Sequence, residues 1–139
     1  MTTATHTTTA SADVDAVRSG FAAVAAGDMA GFAARFHPDA TWNHRNDDRL
    51  GGIKHGVGEI VTFLGESMTL TSGTLRPVPE ILMPDGAGHV AVLTRISGIR
   101  PDGRSFEDIQ ILLFTLADGL VRSVDQFVGD PDAVTAFWA

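Results

Sequence analysis

The chain has 139 residues, 44% of them hydrophobic, a formal net charge of −7 and no cysteine. That length supports one domain with a core of its own. The acidic balance and the scatter of the ten basic residues argue against nucleic acid and anionic membrane as partners, and the lack of cysteine removes disulfides, thiolate nucleophiles and sulfur-ligated metal sites.

Residues 1–10 are rich in threonine, with no basic start and no apolar run. They are expected to form a disordered tail rather than a signal peptide, with residues 11–139 as a single domain. No stretch is apolar for the roughly 18 residues a membrane span needs, and a cytoplasmic location is expected. Ser11 or Asp13 is positioned to cap a first helix, whose stripe of Val14, Val17, Phe21 and Val24 recurs at the helical period and stops at Gly27. Asp28 caps a second helix, predicted over Met29 to Phe36 and broken by His37-Pro38-Asp39. Ala40 to His44 alternates as a short strand, and Arg45 to Gly52 reads as a polar loop. A third helix is predicted over Val57 to Met68.

From Thr74 the period changes to two. Strands are predicted over Thr74–Met83, His89–Ile99, Arg104–Leu116 and Leu120–Val128, with Pro77 and Pro79 marking an edge or a bulge in the first. Arg100-Pro-Asp-Gly103 and Ala117-Asp-Gly119 are hairpin turns. Asp130-Pro131 opens a last helical turn that ends at Phe137-Trp138. The fold class is therefore α+β: a curved, mostly antiparallel sheet wrapped over three N-terminal helices. A sheet bent in this way leaves a hollow suited to a small molecule.

Three stretches carry a resemblance to a known family. They are Ala26-Gly-Asp-Met-Ala-Gly-Phe with Phe36-His-Pro-Asp-Ala-Thr-Trp42, Gly52-Ile-Lys-His-Gly-Val-Gly-Glu-Ile-Val-Thr-Phe63, and Phe114-Thr-Leu-Ala-Asp-Gly-Leu-Val-Arg-Ser-Val124. In their order and spacing, over most of residues 13–138, they resemble the nuclear-transport-factor-2-like superfamily, in its SnoaL-like branch. The resemblance implies a cone-shaped α+β barrel around a pocket. Such proteins include isomerases, polyketide cyclases, dehydratases, epoxide hydrolases and non-catalytic binding domains, so the fold does not by itself name a reaction.

His44 is the first candidate for catalysis. It stands where ketosteroid-isomerase-like members place a general base, and an ordinary histidine exchanges protons near neutrality. The structural alternative is a strand-end histidine bonded to the Asp-rich loop that follows. Asp108 and Gln110 share a strand face with Leu112 and Phe114; Asp108 is a catalytic candidate and Gln110 a substrate-binding one. The resemblance implies that a polar group on this strand helps hold an oxyanion. The alternative is an ordinary salt bridge from Asp108 to Arg95 across the hairpin. Asp125 and Gln126 face opposite ways, and one of them points inward; Asp125 is the third catalytic candidate.

Trp42, Phe36, Phe63 and Phe127 are candidates to line the pocket with flat rings, and Arg95 to contact substrate. His37, His44, His55 and His89 lack ligand spacing, and Asp47-Asp48 lies in a loop without a ligand pattern, so no metal is expected. No cofactor is expected either, since phosphate-cradling and nucleophile-elbow motifs are missing. The expected partner is a small organic substrate. The expected activity is cofactor-independent acid/base chemistry on an enolisable carbonyl or polyketide-like compound: isomerisation, cyclisation or dehydration. A non-catalytic binding or assembly domain is the main alternative. Epoxide hydrolysis would need two carboxylates around an arginine such as Arg95. The apolar stripe Ile109, Ile111 and Leu113 predicts a homodimer.

Overall fold

In the computed structural model, residues 9–139 are described in full and residues 2–8 by backbone path alone. Helix α1 (Thr2–Ala25) leads into α2 (Met29–Ala33), strand β1 (Phe36–Arg45), the short β2 (Gly52–His55) and helix α3 (Gly56–Leu70). Four strands follow: β3 (Arg76–Pro84), β4 (His89–Ile99), β5 (Ser105–Ala117) and β6 (Leu120–Phe127). Helix α4 (Pro131–Trp138) closes the chain. The tail expected over residues 1–10 lies outside the fully described range except for Thr9 and Ala10, which are helical. Ser11 and Asp13 accordingly sit inside α1 rather than at its start, since no glycine or proline interrupts the helix there.

The six strands form one curved sheet in the order β2-β1-β6-β5-β4-β3. All neighbours are antiparallel except β1 and β6, which run parallel. The sheet is open, with β2 and β3 as its edges. Edge position explains why β3 accepts Pro77 and Pro79, and the register slips between Pro79 and Ile81.

Beyond the start of α1, the stretch from α2 to β2 also differs from the sequence-based expectation. Helix α2 stops at Ala33, and Phe36 belongs to β1, where it pairs with Val121. The Val121 amide donates to the Arg35 carbonyl at 2.8 Å, so sheet pairing takes the chain before the helix completes a further turn. Pro38 is accommodated within the strand by a register shift between Phe36 and Thr41. Strand β2 has no counterpart in the sequence reading: Gly52–His55 folds back on His44–Thr41. Gly52 and Gly56, at φ +95° and +85°, provide the bends at its two ends.

The concave face of the sheet packs on α1, α2 and α3 through a core that includes Val17, Phe32, Ile60, Val92, Leu112 and Val124. A second cluster joins Leu50 and Phe63 to Val134, Phe137 and Trp138 of α4. Phe106 stacks on Phe137 at 4.1 Å. The last carbonyls of α4 are held from the β4–β5 turn: Arg100 Nη1 donates to Phe137 O at 2.8 Å, and Arg104 Nη1 to Ala136 O at 2.9 Å. Cations at a helix C-terminus both satisfy unpaired carbonyls and oppose the helix dipole. This clamp fixes α4 across one end of the sheet.

Candidate active site

An interior cavity of about 80 Å³ lies between the concave sheet face and the helices. Its wall is almost wholly apolar and aromatic. Trp42 lines it, 5.7 Å from Phe63, 6.3 Å from Phe36 and 6.4 Å from Phe114 between ring centroids. Three polar side chains from adjacent strands enter this wall: His44 on β1, Gln126 on β6 and Gln110 on β5. His44 and Gln126 are direct partners in the parallel register, so their side chains leave the sheet on the same face. Trp42, two residues from His44, shares that face.

His44 is 3% exposed and has two different nitrogen environments. Nε2 lies 2.9 Å from Asp48 Oδ2. A carboxylate only accepts, so Nε2 carries the hydrogen and the neutral ring keeps its lone pair on Nδ1. Nδ1 is buried without a hydrogen-bond partner. Asp48 is itself tightly held. Its side chain is 1% exposed, Oδ1 accepts from the Leu50 amide at 2.8 Å, and Oδ2 also accepts from Asn46 Nδ2. Burial pushes the Asp48 carboxyl upward, but the hydrogen bonds from His44, Asn46 and the Leu50 amide together hold it below the ordinary carboxylate range.

The loop that carries Asp48 is built locally. The carboxylate-to-amide bond two residues on is an Asx turn, and the Gly51 amide donates to Asp48 O at 2.9 Å. A Cβ on Gly51 would run into the Asn46 carbonyl. Asn46 Nδ2 also donates to Thr135 Oγ1 at 3.2 Å, which ties this loop to α4.

The glutamines form a directed chain. Trp42 Nε1 donates to Gln126 Oε1 at 2.9 Å, Gln126 Nε2 to Gln110 Oε1 at 2.6 Å, and Gln110 Nε2 to Asp108 Oδ2 at 3.0 Å. Asp108 does not line the cavity. It also accepts from the Gly129 and Asp130 amides, at 2.9 and 3.1 Å, and so anchors the junction between β6 and α4.

Among the residues singled out from sequence, His44, Trp42, Phe36, Phe63 and Gln110 meet at the cavity. The others do not. Asp108 is 8% exposed but sits behind Gln110, and the residue opposite it on β4 is Ile96, not Arg95. Asp125 faces outward and pairs with Arg45 at 2.9 Å; of the two neighbours on β6, Gln126 points inward. Phe127 is 45% exposed on that outer face, under the Arg45 guanidinium. Arg95 lies on the same outer face, bound to Glu80 and Glu107. Its two carboxylates match the set that epoxide hydrolysis requires, but on the side of the sheet away from the cavity. Asp48 is the participant that sequence reasoning did not name in the site, and Gln126, left open there as the alternative to Asp125, is the one that faces in. The available signal for Asp48 was its position four residues after His44 in a glycine-ended loop.

An aromatic hollow with a small polar end, enclosed by a bent sheet and three helices, defines a small-molecule-binding domain of the nuclear-transport-factor-2-like type. A family model for the SnoaL-like domain matches residues 17–124, and the chain belongs to that family. Uncharacterized protein Rv0034 of Mycobacterium tuberculosis is 32% identical over 128 residues, covering 92% of this chain and 97% of its own. Among solved structures, Bal32a from a soil-derived mobile gene cassette superposes with a TM-score of 0.91 at 25% identity, covering 94% of this chain and 99% of that one. TerC, co-crystallized with polyporic acid, superposes with a TM-score of 0.80 at 23% identity, over 91% and 97% of the two chains. No helix among the described residues is long and apolar enough to cross a membrane.

Proposed function

We propose that the domain is a cofactor-independent acid/base enzyme in which His44 Nδ1 moves a proton on an enolisable carbonyl compound. The observation that carries this reading is the buried Nδ1, left without a protein partner on a cavity-lining ring whose other nitrogen is tied to Asp48. In the reaction Nδ1 takes a proton from the carbon next to the carbonyl. The electron pair moves to the carbonyl oxygen as an enolate, and the imidazolium returns the proton to the same or a conjugated carbon. Asp48 holds the ring in one tautomer and stabilises its charged form. Gln110 and Gln126 stand beside the path as hydrogen-bonding groups for the oxygen.

The substrate is compact and largely apolar. A cavity of about 80 Å³ is smaller than the roughly 150 Å³ that houses benzene in an engineered protein. Larger ligands therefore need a wall to move. Leu50 and Phe63 line both the cavity and an open groove that Lys54, Thr62 and Glu66 also line, which supports access from that side. On the outer sheet face, Phe127, Ile111, Leu93 and Ile81 are successive partners across four strands. This apolar row supports a homodimer joined through that face.

The test compares His44→Ala with the unaltered protein on a small cyclic enone. Deuterium uptake next to the carbonyl is followed by NMR, and binding of the same ketone is measured separately. Exchange lost with binding retained supports the enzyme. Exchange unchanged removes His44 from the mechanism. Binding without exchange in the unaltered protein leaves a non-catalytic binding domain.

A further inference from the structure

We propose that Arg35 holds a carboxylate of the ligand at the end of the cavity remote from His44, so that the domain takes small apolar acids. The inference rests on the cavity being a ligand site, as proposed above, and adds the charge of the ligand; it needs no reaction at His44.

Among the described residues, the cavity lining contains no aspartate or glutamate and one permanently charged side chain, Arg35. Arg35 leaves the turn between α2 and β1 and is half-buried. Its stem lies against α1: a Cβ on Gly20, itself part of the lining, would stand 3.9 Å from Arg35 Cγ. The Arg35 carbonyl accepts from the Val121 amide, whereas His44 pairs with Gln126, further along β6. The cation and the imidazole therefore mark opposite ends of the cavity, with Trp42, Phe36 and Phe114 in the wall they share.

Arg35 differs from the other arginines in lacking any partner that would satisfy it. Arg45, Arg95 and Arg104 bind carboxylates, and Arg100 donates to the Phe137 carbonyl. Arg18, Arg49, Arg76 and Arg122 have no protein acceptor but are exposed to water. Among the described arginines, Arg35 alone is half-buried and makes no side-chain hydrogen bond or ion pair. A guanidinium that gives up part of its hydration without gaining an acceptor is costly. A ligand carboxylate offsets that cost through two parallel N–H···O bonds to the planar fork. Phosphate is the poorer match, because it carries more charge and no second basic residue lines the cavity. The formal net charge of −7 repels anions at long range, so a preference for an acid has to come from a local cation. The matching ligand sets an apolar body against the aromatic wall and a carboxylate at Arg35. Where the enzymatic reading holds, its enolisable carbonyl lies at His44.

Two probes of one shape test the idea: cyclohexanecarboxylate and its neutral counterpart cyclohexanecarboxamide. Binding of each to the full chain, carrying ¹⁵N-labelled arginine, is read by NMR titration near neutral pH. The unaltered protein is expected to favour the carboxylate by about ten-fold or more, and the Arg35 Nε–H resonance should move with the carboxylate and not with the amide. Arg35→Met keeps an apolar stem without the charge. It should abolish the preference while the carboxamide binds as before, and Arg35→Gln serves if the Met variant does not fold. Arg35→Lys retains the charge without the fork and should keep part of the preference. His44→Ala should leave the preference intact. Equal affinities in the unaltered protein, an unmoved Arg35 resonance, or a preference that survives the loss of the Arg35 charge would overturn the proposal. Failure of both probes to bind would overturn it together with the ligand-site reading. Unchanged exchange in His44→Ala would sink the enzymatic reading alone.

Discussion

Asp48→Asn is the substitution whose outcome is most closely set by geometry. The new side chain has the same shape, and it meets three N–H donors: His44 Nε2, Asn46 Nδ2 and the Leu50 amide. One of its two positions must now be an NH₂ group. If the oxygen stays with Leu50, the NH₂ faces His44 and Asn46. The imidazole then has to accept on Nε2, its hydrogen moves to Nδ1, and the base in the cavity is lost. The same tautomer error in a serine-protease triad costs about 10⁴ in rate. Asp48 touches no substrate, so the expected loss here is about 10²- to 10⁴-fold in kcat with little change in KM. Stability should also fall by about 1.5–3 kcal/mol, the usual worth of a hydrogen bond to a charged group. Deuterium exchange into a cyclic enone measures the rate, and long-range ¹H–¹⁵N spectra of the imidazole identify the protonated nitrogen. An Asp48→Asn variant that still carries the imidazole hydrogen on Nε2, or exchanges at the original rate, would refute the reasoning.

Other expectations follow from the same structure. The Asp48 carboxyl titrates below its ordinary range in the folded state, so it adds stability above the unfolded pKa, near 4, and that stability is lost as pH falls through the lower folded value. Urea melts from pH 7 to pH 2.5 should show this acid loss in the unaltered chain and a flatter curve in Asp48→Asn. At Gly129 an added Cβ would lie 2.8 Å from Asp108 Oδ1 and collide with the Ile109 carbonyl. Gly129→Ala should therefore cost roughly 1–3 kcal/mol in a urea melt. Arg104→Ala removes the donor to the end of α4 and should speed hydrogen exchange of the α4 amides, with a loss of about 1 kcal/mol. Ile111→Lys on the outer sheet face should move sedimentation toward monomer without altering ligand binding.

Much of the architecture could be read from the chain because its signals are local. The span of β4 follows from an unbroken period-two pattern ending at a hairpin turn, and α3 from an apolar stripe bounded by glycine. The site divides differently. His44 and Gln110 were legible from their strand positions, whereas the pairing of Asp108 with Arg95 rested on a register that only the complete β4–β5 ladder decides. Parity said that Asp125 and Gln126 face opposite ways but not which one faces in; the parallel pairing of Gln126 with His44 decides that, and it joins distant parts of the chain. Asp48 was hidden for a further reason. A bond from His44 to the Asp-rich loop was legible as the structural alternative, and it forms, but which carboxylate makes it is decided only when β2 closes the loop and the Leu50 amide holds Asp48.

The parallel seam between β1 and β6 has a bearing on how the protein comes into being. Trp42 and Gln126 are hydrogen-bonded across 84 positions of sequence, and every other strand intervenes between them. As the polypeptide leaves the ribosome, the segment bearing His44 emerges early and must wait, its inner edge unpaired, for nearly the whole remainder to be synthesised. Closing such a long loop is slow. The half-built protein is thus a stage at which chaperones have something to hold.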